Sequence, residues 1–66
     1  MLKEEIIDIM SKAIEKSTEQ FMKYQGLADN QIKESMNWNR PALDYANELA
    51  LAALVENNLI DPNIIE

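Results

Sequence analysis

The residues able to do chemistry in this chain are carboxylates, five lysines, four serine and threonine hydroxyls, two tyrosines, one arginine and one tryptophan; histidine and cysteine are absent. Without imidazole or thiol, the commonest general base and the usual nucleophile–base pairs cannot be built. Ser11, Ser17, Thr18 and Ser35 stand in polar helical surroundings with no evident activating base. A single glycine cannot form a phosphate-cradling loop, so no catalytic residue and no cofactor is expected, and the chain reads as a non-enzyme.

Glu4, Glu5 and Asp8, or Glu15 and Glu19, bring carboxylate oxygens within a turn of one another. Calcium wants about six to eight oxygens from a shaped loop, and no loop here alternates acids around a glycine. These five acids therefore read as a solvated acidic face, with no metal site. The segment Asn37–Trp38–Asn39–Arg40 is the most informative polar stretch, because it sets the sole tryptophan two residues from the sole arginine at a bend between helices. Both types concentrate binding energy at interfaces, which makes Trp38, Arg40 and Asn37 a candidate partner-binding corner. The structural alternative is that Trp38 plugs the corner of a small bundle while Asn39 caps the next helix. It is the preferred one, since so short a chain can hardly spare its largest side chain.

Helices must position these groups. From Leu2 to Tyr24 the apolar residues Leu2, Ile6, Ile7, Ile9, Met10, Ala13, Ile14, Phe21 and Tyr24 recur at the helical period. The charged residues fill the other side, with acid-before-base pairs Asp8–Lys12 and Glu19–Lys23. The apolar face thins at residues 15 to 20, where Ser17 could mark a close crossing, and Met22 falls off the arc. Gly26 suits the left-handed end of this helix. Asp29 or Asn30 can cap a short second helix carrying Ile32 and Met36 on one face.

A third helix starts at the Asn39 cap, with Arg40 and Pro41 in its first turn, and ends near Asn57 and Asn58. Ala42, Ala46, Ala50 and Ala53 form a stripe on it, flanked by Leu49 on one side and by Leu43 and Leu54 on the other. Tyr45 and Ala52 widen the arc, while Asp44, Asn47 and Glu48 interrupt it and Leu51 and Val55 return apolar atoms to that polar side. The stripe is expected to be wrapped by the rest of the chain or by a second copy. In the tail, Asp61 and Pro62 predict a last turn, and Leu59, Ile60, Ile64 and Ile65 predict that it folds back onto a core.

One all-α domain over residues 1–66 follows: two long helices at about 2 to 25 and 40 to 57, a short helix between them and a C-terminal turn. A homodimer is the preferred state, because a chain this short buries only about 60% of its surface. Leu43, Ala46, Leu49, Ala50, Ala53 and Leu54 are the expected dimer interface. Twelve acidic against six basic residues give a net charge of -6, which disfavours direct nucleic-acid binding and suits a basic protein partner. A helix-turn-helix DNA reader fits poorly too, since the third helix has no basic residue after Arg40. No signal peptide and no membrane-spanning run is evident, so a cytoplasmic location is expected. The function expected is that of an adaptor or inhibitor acting by protein contact. Two alternatives are an acidic nucleic-acid mimic, carried by Glu4, Glu5, Asp8, Glu15 and Glu19, and an assembly subunit whose self-association is its function.

Overall fold

The computed structural model describes residues 1–37 and 39–65, and within them the chain is helical: α1 (Lys3–Tyr24), α2 (Asp29–Ser35), α3 (Arg40–Glu56) and a 3-10 turn (Pro62–Ile64). The element boundaries expected for the two long helices hold to within a residue or two. Trp38 lies outside the described residues, so its expected place in the corner goes undescribed.

Local chemistry accounts for where each helix stops. After α1, Gly26 takes φ +88°; its N–H donates to the Lys23 carbonyl at 3.0 Å and the Leu27 N–H to the Met22 carbonyl at 3.2 Å. This paired closure satisfies carbonyls that the helix end would otherwise orphan. The same device ends α3, where Asn58 sits at φ 59°, Asn58 donates to Val55 and Leu59 to Leu54. At the other end of α3, Asn39 Oδ1 accepts from the Ala42 N–H at 3.4 Å. Asp61 caps the 3-10 turn by accepting from the Asn63 N–H at 2.9 Å. The start of α2 departs from expectation: Ala28 is the capping position, and Gln31 Oε1 reaches back to its N–H at 2.9 Å. Asp29 thus becomes the first helical residue, where its charge meets the helix dipole favourably.

α1 and α3 pack antiparallel, with Lys3 meeting Glu48 near one end of the pair and Glu15 meeting Arg40 toward the other. α2 packs on the C-terminal half of α1, with Ile32 buried and Met36 half-buried. The tail does return, since the Met1 backbone nitrogen donates to the Ile64 carbonyl at 3.0 Å and Ile60 and Ile65 are half-buried.

The faces that meet correct the sequence reading. α3 turns Asp44, Asn47 and Leu51 toward α1, while Ala42, Ala46, Ala50 and Ala53 face outward and Leu49 is 55% exposed. On α1 the inward residue is Ser11, with no exposed surface, whereas Ile9, Ile14, Phe21 and Tyr24 of the apolar arc are exposed. Met22, expected off the arc, is half-buried, and Ser17 is exposed; the close crossing occurs at Ser11 instead. Among the described residues only Ser11, Ile32, Asn47 and Leu51 are buried. The result is a long body of 42 × 21 × 17 Å with a radius of gyration of 14.3 Å, against about 11 Å for a compact chain of this length.

A direct check of the helix ends follows. Gly26→Ala places a Cβ in open space yet at a left-handed backbone, so it is expected to cost about 1–2 kcal/mol, read as a lower urea midpoint at unchanged slope.

Candidate functional site

The most organised polar region is the seam between α1 and α3. At its centre Ser11 Oγ donates to Asp44 Oδ1 at 2.6 Å and accepts from Asn47 Nδ2 at 2.8 Å. Arg40, one turn before Asp44 on α3, donates through Nε to the same Asp44 oxygen at 2.8 Å. Its Nη2 reaches Asp8 Oδ1 at 2.6 Å and its Nη1 reaches Glu15 Oε1 at 3.3 Å, both on α1. Lys12 closes the network on the other Asp8 oxygen at 2.9 Å.

Each member has a reason to be there. Serine at position 11 is small enough to let the backbones approach, and its hydroxyl can accept and donate at once. Asn47 fills the remaining space and is 5% exposed. Arginine alone offers a planar fork able to address three carboxylates from one position. No buried side-chain polar atom among the described residues is left without a partner, which is the condition under which a polar seam rigidifies rather than destabilises.

The electrostatics follow. The Asp44 carboxyl is held below its ordinary range first by the Ser11 hydroxyl and then by Arg40. Asp8 is lowered chiefly by its hydrogen bond from Lys12, with Arg40 adding to it. Arg40 is raised by Asp44 foremost, and Lys23 by its bond to Glu19 at 3.0 Å.

Chemically the seam joins helices. Ser11 is wholly enclosed and its neighbour is a lowered carboxylate, a poor base, so its hydroxyl has neither an activator nor access to a substrate. No group of three or more side chains suited to a metal ion comes together among the described residues, and none of their helices is long and apolar enough to cross a membrane.

The residues singled out from sequence are dispersed. Asn37 is exposed at the α2–α3 turn, while Arg40 is tied into the seam with its side chain about one-third exposed. Of the acidic face, Glu4 and Glu5 are exposed; Asp8 and Glu15 face Arg40, and Glu19 pairs with Lys23. Leu43 and Leu54 are half-buried, while Ala46, Leu49, Ala50 and Ala53 are exposed. Sequence reasoning missed Ser11 and Asn47, whose only signal was a small and a medium polar residue beside the apolar stripes.

The more conspicuous surface is apolar. With Ser11 facing α3, helical geometry sets Met10, Ile14, Ser17 and Phe21 to one side of the seam and Asp8, Lys12, Glu15 and Glu19 to the other. With Leu51 of the antiparallel α3 facing α1, Leu43, Ala46, Ala50 and Leu54 fall on the first side and Tyr45 and Glu48 on the second. The groove lined by Glu4, Asp8, Asp44, Tyr45 and Glu48 lies on that second, charged side; Ile7 and Pro41 line it too, which puts Ile7 at the seam itself. One broad side of the α1–α3 pair is therefore almost free of charge, with Lys3 at its rim. Comparison with known proteins finds no family model, no curated protein and no solved structure that matches this chain.

Two outcomes test the seam. Asn47→Ala strips Ser11 of its donor and opens space, and is expected to lower stability by about 1–3 kcal/mol in chemical denaturation. Asp8 and Asp44 have lowered carboxyl groups in the fold, so their contribution is present above the ordinary carboxylate range near pH 4 and disappears as pH falls through the folded values. The thermal midpoint should accordingly be flat from pH 7 to about 5 and fall below about 4, less steeply in Asp44→Asn.

Proposed function

We propose that this chain is a small non-enzymatic protein-binding module, an adaptor or inhibitor, whose working state is a homodimer. The observation that carries the reading is its surface. The chain exposes 5133 Å², about a fifth more than the roughly 4,300 Å² of a compact monomer of its size. Much of that surface is large and apolar: Phe21 is 59%, Tyr45 64% and Leu49 55% exposed. Tyr45 and Leu49 stand four residues apart on α3 and line one groove, and an exposed apolar patch of that kind on a small chain marks a place where another molecule sits. Nothing in the seam supports catalysis, and contact is the activity left to such a surface.

Charge supports the same reading. Asp8, Glu15 and Glu19 of α1 are drawn into pairs with Arg40, Lys12 and Lys23, so these three acids are neutralised locally. Binding should then rest on apolar contact, with the net charge of -6 steering basic partners. Arg40 is a poor probe of that contact, because removing it leaves Asp8, Glu15 and Asp44 close together without their cation. Tyr45 and Leu49, on the outward side of α3, are better probes.

A tagged chain used as bait in its native cell should retain a partner at raised salt, and the double variant Tyr45→Lys, Leu49→Lys should lose it with unchanged helical circular dichroism. Unchanged capture by that variant would overturn the outward side of α3 as the contact, and loss of wild-type capture at raised salt would point to phosphate mimicry instead.

A further inference from the structure

We infer that two copies of this chain pair through the apolar side of the α1–α3 hairpin, stacking hairpin on hairpin about a two-fold axis into a four-helix arrangement. The inference rests on the homodimer reading and names the surface that makes it. Met10, Ile14 and Phe21 of α1 and Leu43, Ala46 and Ala50 of α3 form that surface.

Three observations select this side and this occupant. The first is area. The chain exposes about 800 Å² beyond what a compact monomer of its length would, which is what one partner contributes to a standard stable interface.

The second is charge. Each copy carries -6, so two copies repel unless they meet where no acid stands. The charged side bears Glu4, Asp8, Glu15, Glu19 and Glu48 with Lys12 and Arg40 among them, and pairing there would take these charged groups out of water. On the other side the helical positions facing away from the seam carry Met10, Ala13, Ile14, Ser17 and Phe21 on α1 and Leu43, Ala46, Ala50 and Ala53 on α3, with no carboxylate among them. Pairing there keeps Glu4, Asp8, Glu15, Glu19 and Glu48 of both copies outside the contact.

The third is shape. Ala46, Ala50 and Ser17 are small, so they leave grooves between the larger Met10, Ile14, Phe21 and Leu43. A self-complementary surface needs such a mix, because in a two-fold interface each knob must find a hole in an identical copy. The tail covers only the end of this side, where Met1, Ile6, Leu51, Ile60 and Ile64 line one groove. It therefore bounds the interface without filling it. Leu49 and Ala53, expected in the interface from sequence, sit at or beyond its outer edge, and Leu49 is left free for another partner.

Sedimentation equilibrium of the intact chain at micromolar concentration tests this, with Ala50→Glu inside the interface and Leu49→Glu outside it. Wild type and L49E should give the mass of two chains. A50E should raise the dimer dissociation constant about a hundredfold, since two unpaired carboxylates would be buried across the axis. Ala50 is exposed in the single chain and glutamate is a good helix former, so the helical circular dichroism of A50E should match wild type. Ile14→Glu, from α1, should dissociate the dimer as A50E does. A wild-type mass of one chain would overturn the homodimer reading itself. A wild-type dimer that A50E and I14E leave intact would keep that reading and overturn this interface, and dissociation by L49E alone would move the contact to the outward side of α3.

Discussion

The guanidinium of Arg40 is the constraint on which the arrangement of the helices depends. It takes Asp44 from its own helix and Asp8 and Glu15 from the facing one, and so fixes both the side and the register at which α3 meets α1. One turn further along α3, the Ser11–Asp44–Asn47 bonds repeat that specification through a hydroxyl, a carboxylate and an amide. Such contacts define geometry better than they stabilise it. Partly exposed ion pairs are worth little in water, and a hydrogen bond that replaces one to solvent nets about 1 kcal/mol. The seam thus says which faces meet without supplying much of the free energy for folding.

That energy has to come from apolar burial, and the single chain offers little of it. Of its long aliphatic side chains only Ile32 and Leu51 are buried among the described residues. The rest are half-covered or exposed, along the flank of the hairpin, on the outward side of α3 and on the arc of α1 beyond the seam. A polar seam with apolar exteriors inverts the usual order of a two-helix hairpin. The inversion makes physical sense when the hairpin is half of a larger core: the seam then lies toward the edge of the assembly, where some solvent access is tolerable, and the apolar flank lies at its middle.

Much of the fold was legible in the sequence because it is written locally. Gly26 and Asn58 stand at left-handed positions, Asn39 and Asp61 cap, and the Asp8–Lys12 and Glu19–Lys23 pairs form, all through residues within four places of each other. What was not legible is which long faces meet. Hydrophobic periodicity locates the apolar side of a helix correctly, and then assumes that apolar sides face one another within the chain. Here that assumption fails for α1 and α3 together, because Arg40 and Ser11 tie down the polar-leaning faces. The cap of α2 was missed for a smaller reason: Gln31 satisfies the Ala28 N–H from the third helical position, so an alanine can hold a place usually given to Ser, Thr, Asp or Asn. At Ser17 the thin spot in the apolar arc was visible, but serine is only a licence for close approach. The approach occurs at Ser11 because Asn47 and Asp44 stand opposite to bond it.

Separating the two jobs has an energetic consequence. If self-association covers the flank, its free energy adds to the stability of the single chain by mass action, in proportion to the logarithm of concentration over the dissociation constant. Folding and pairing are then linked, and a hairpin too weakly cored to persist alone becomes stable in company. The seam matters to that linkage because the flank is split between two helices: Met10, Ile14 and Phe21 present a common surface with Leu43, Ala46 and Ala50 only while α1 and α3 hold their register. Loosening Arg40 or Ser11 would shear the two halves of the flank against each other. The polar contacts, modest in their own right, thereby control how much apolar area can be buried at once, and burying that area stabilises the assembly more than the contacts themselves do.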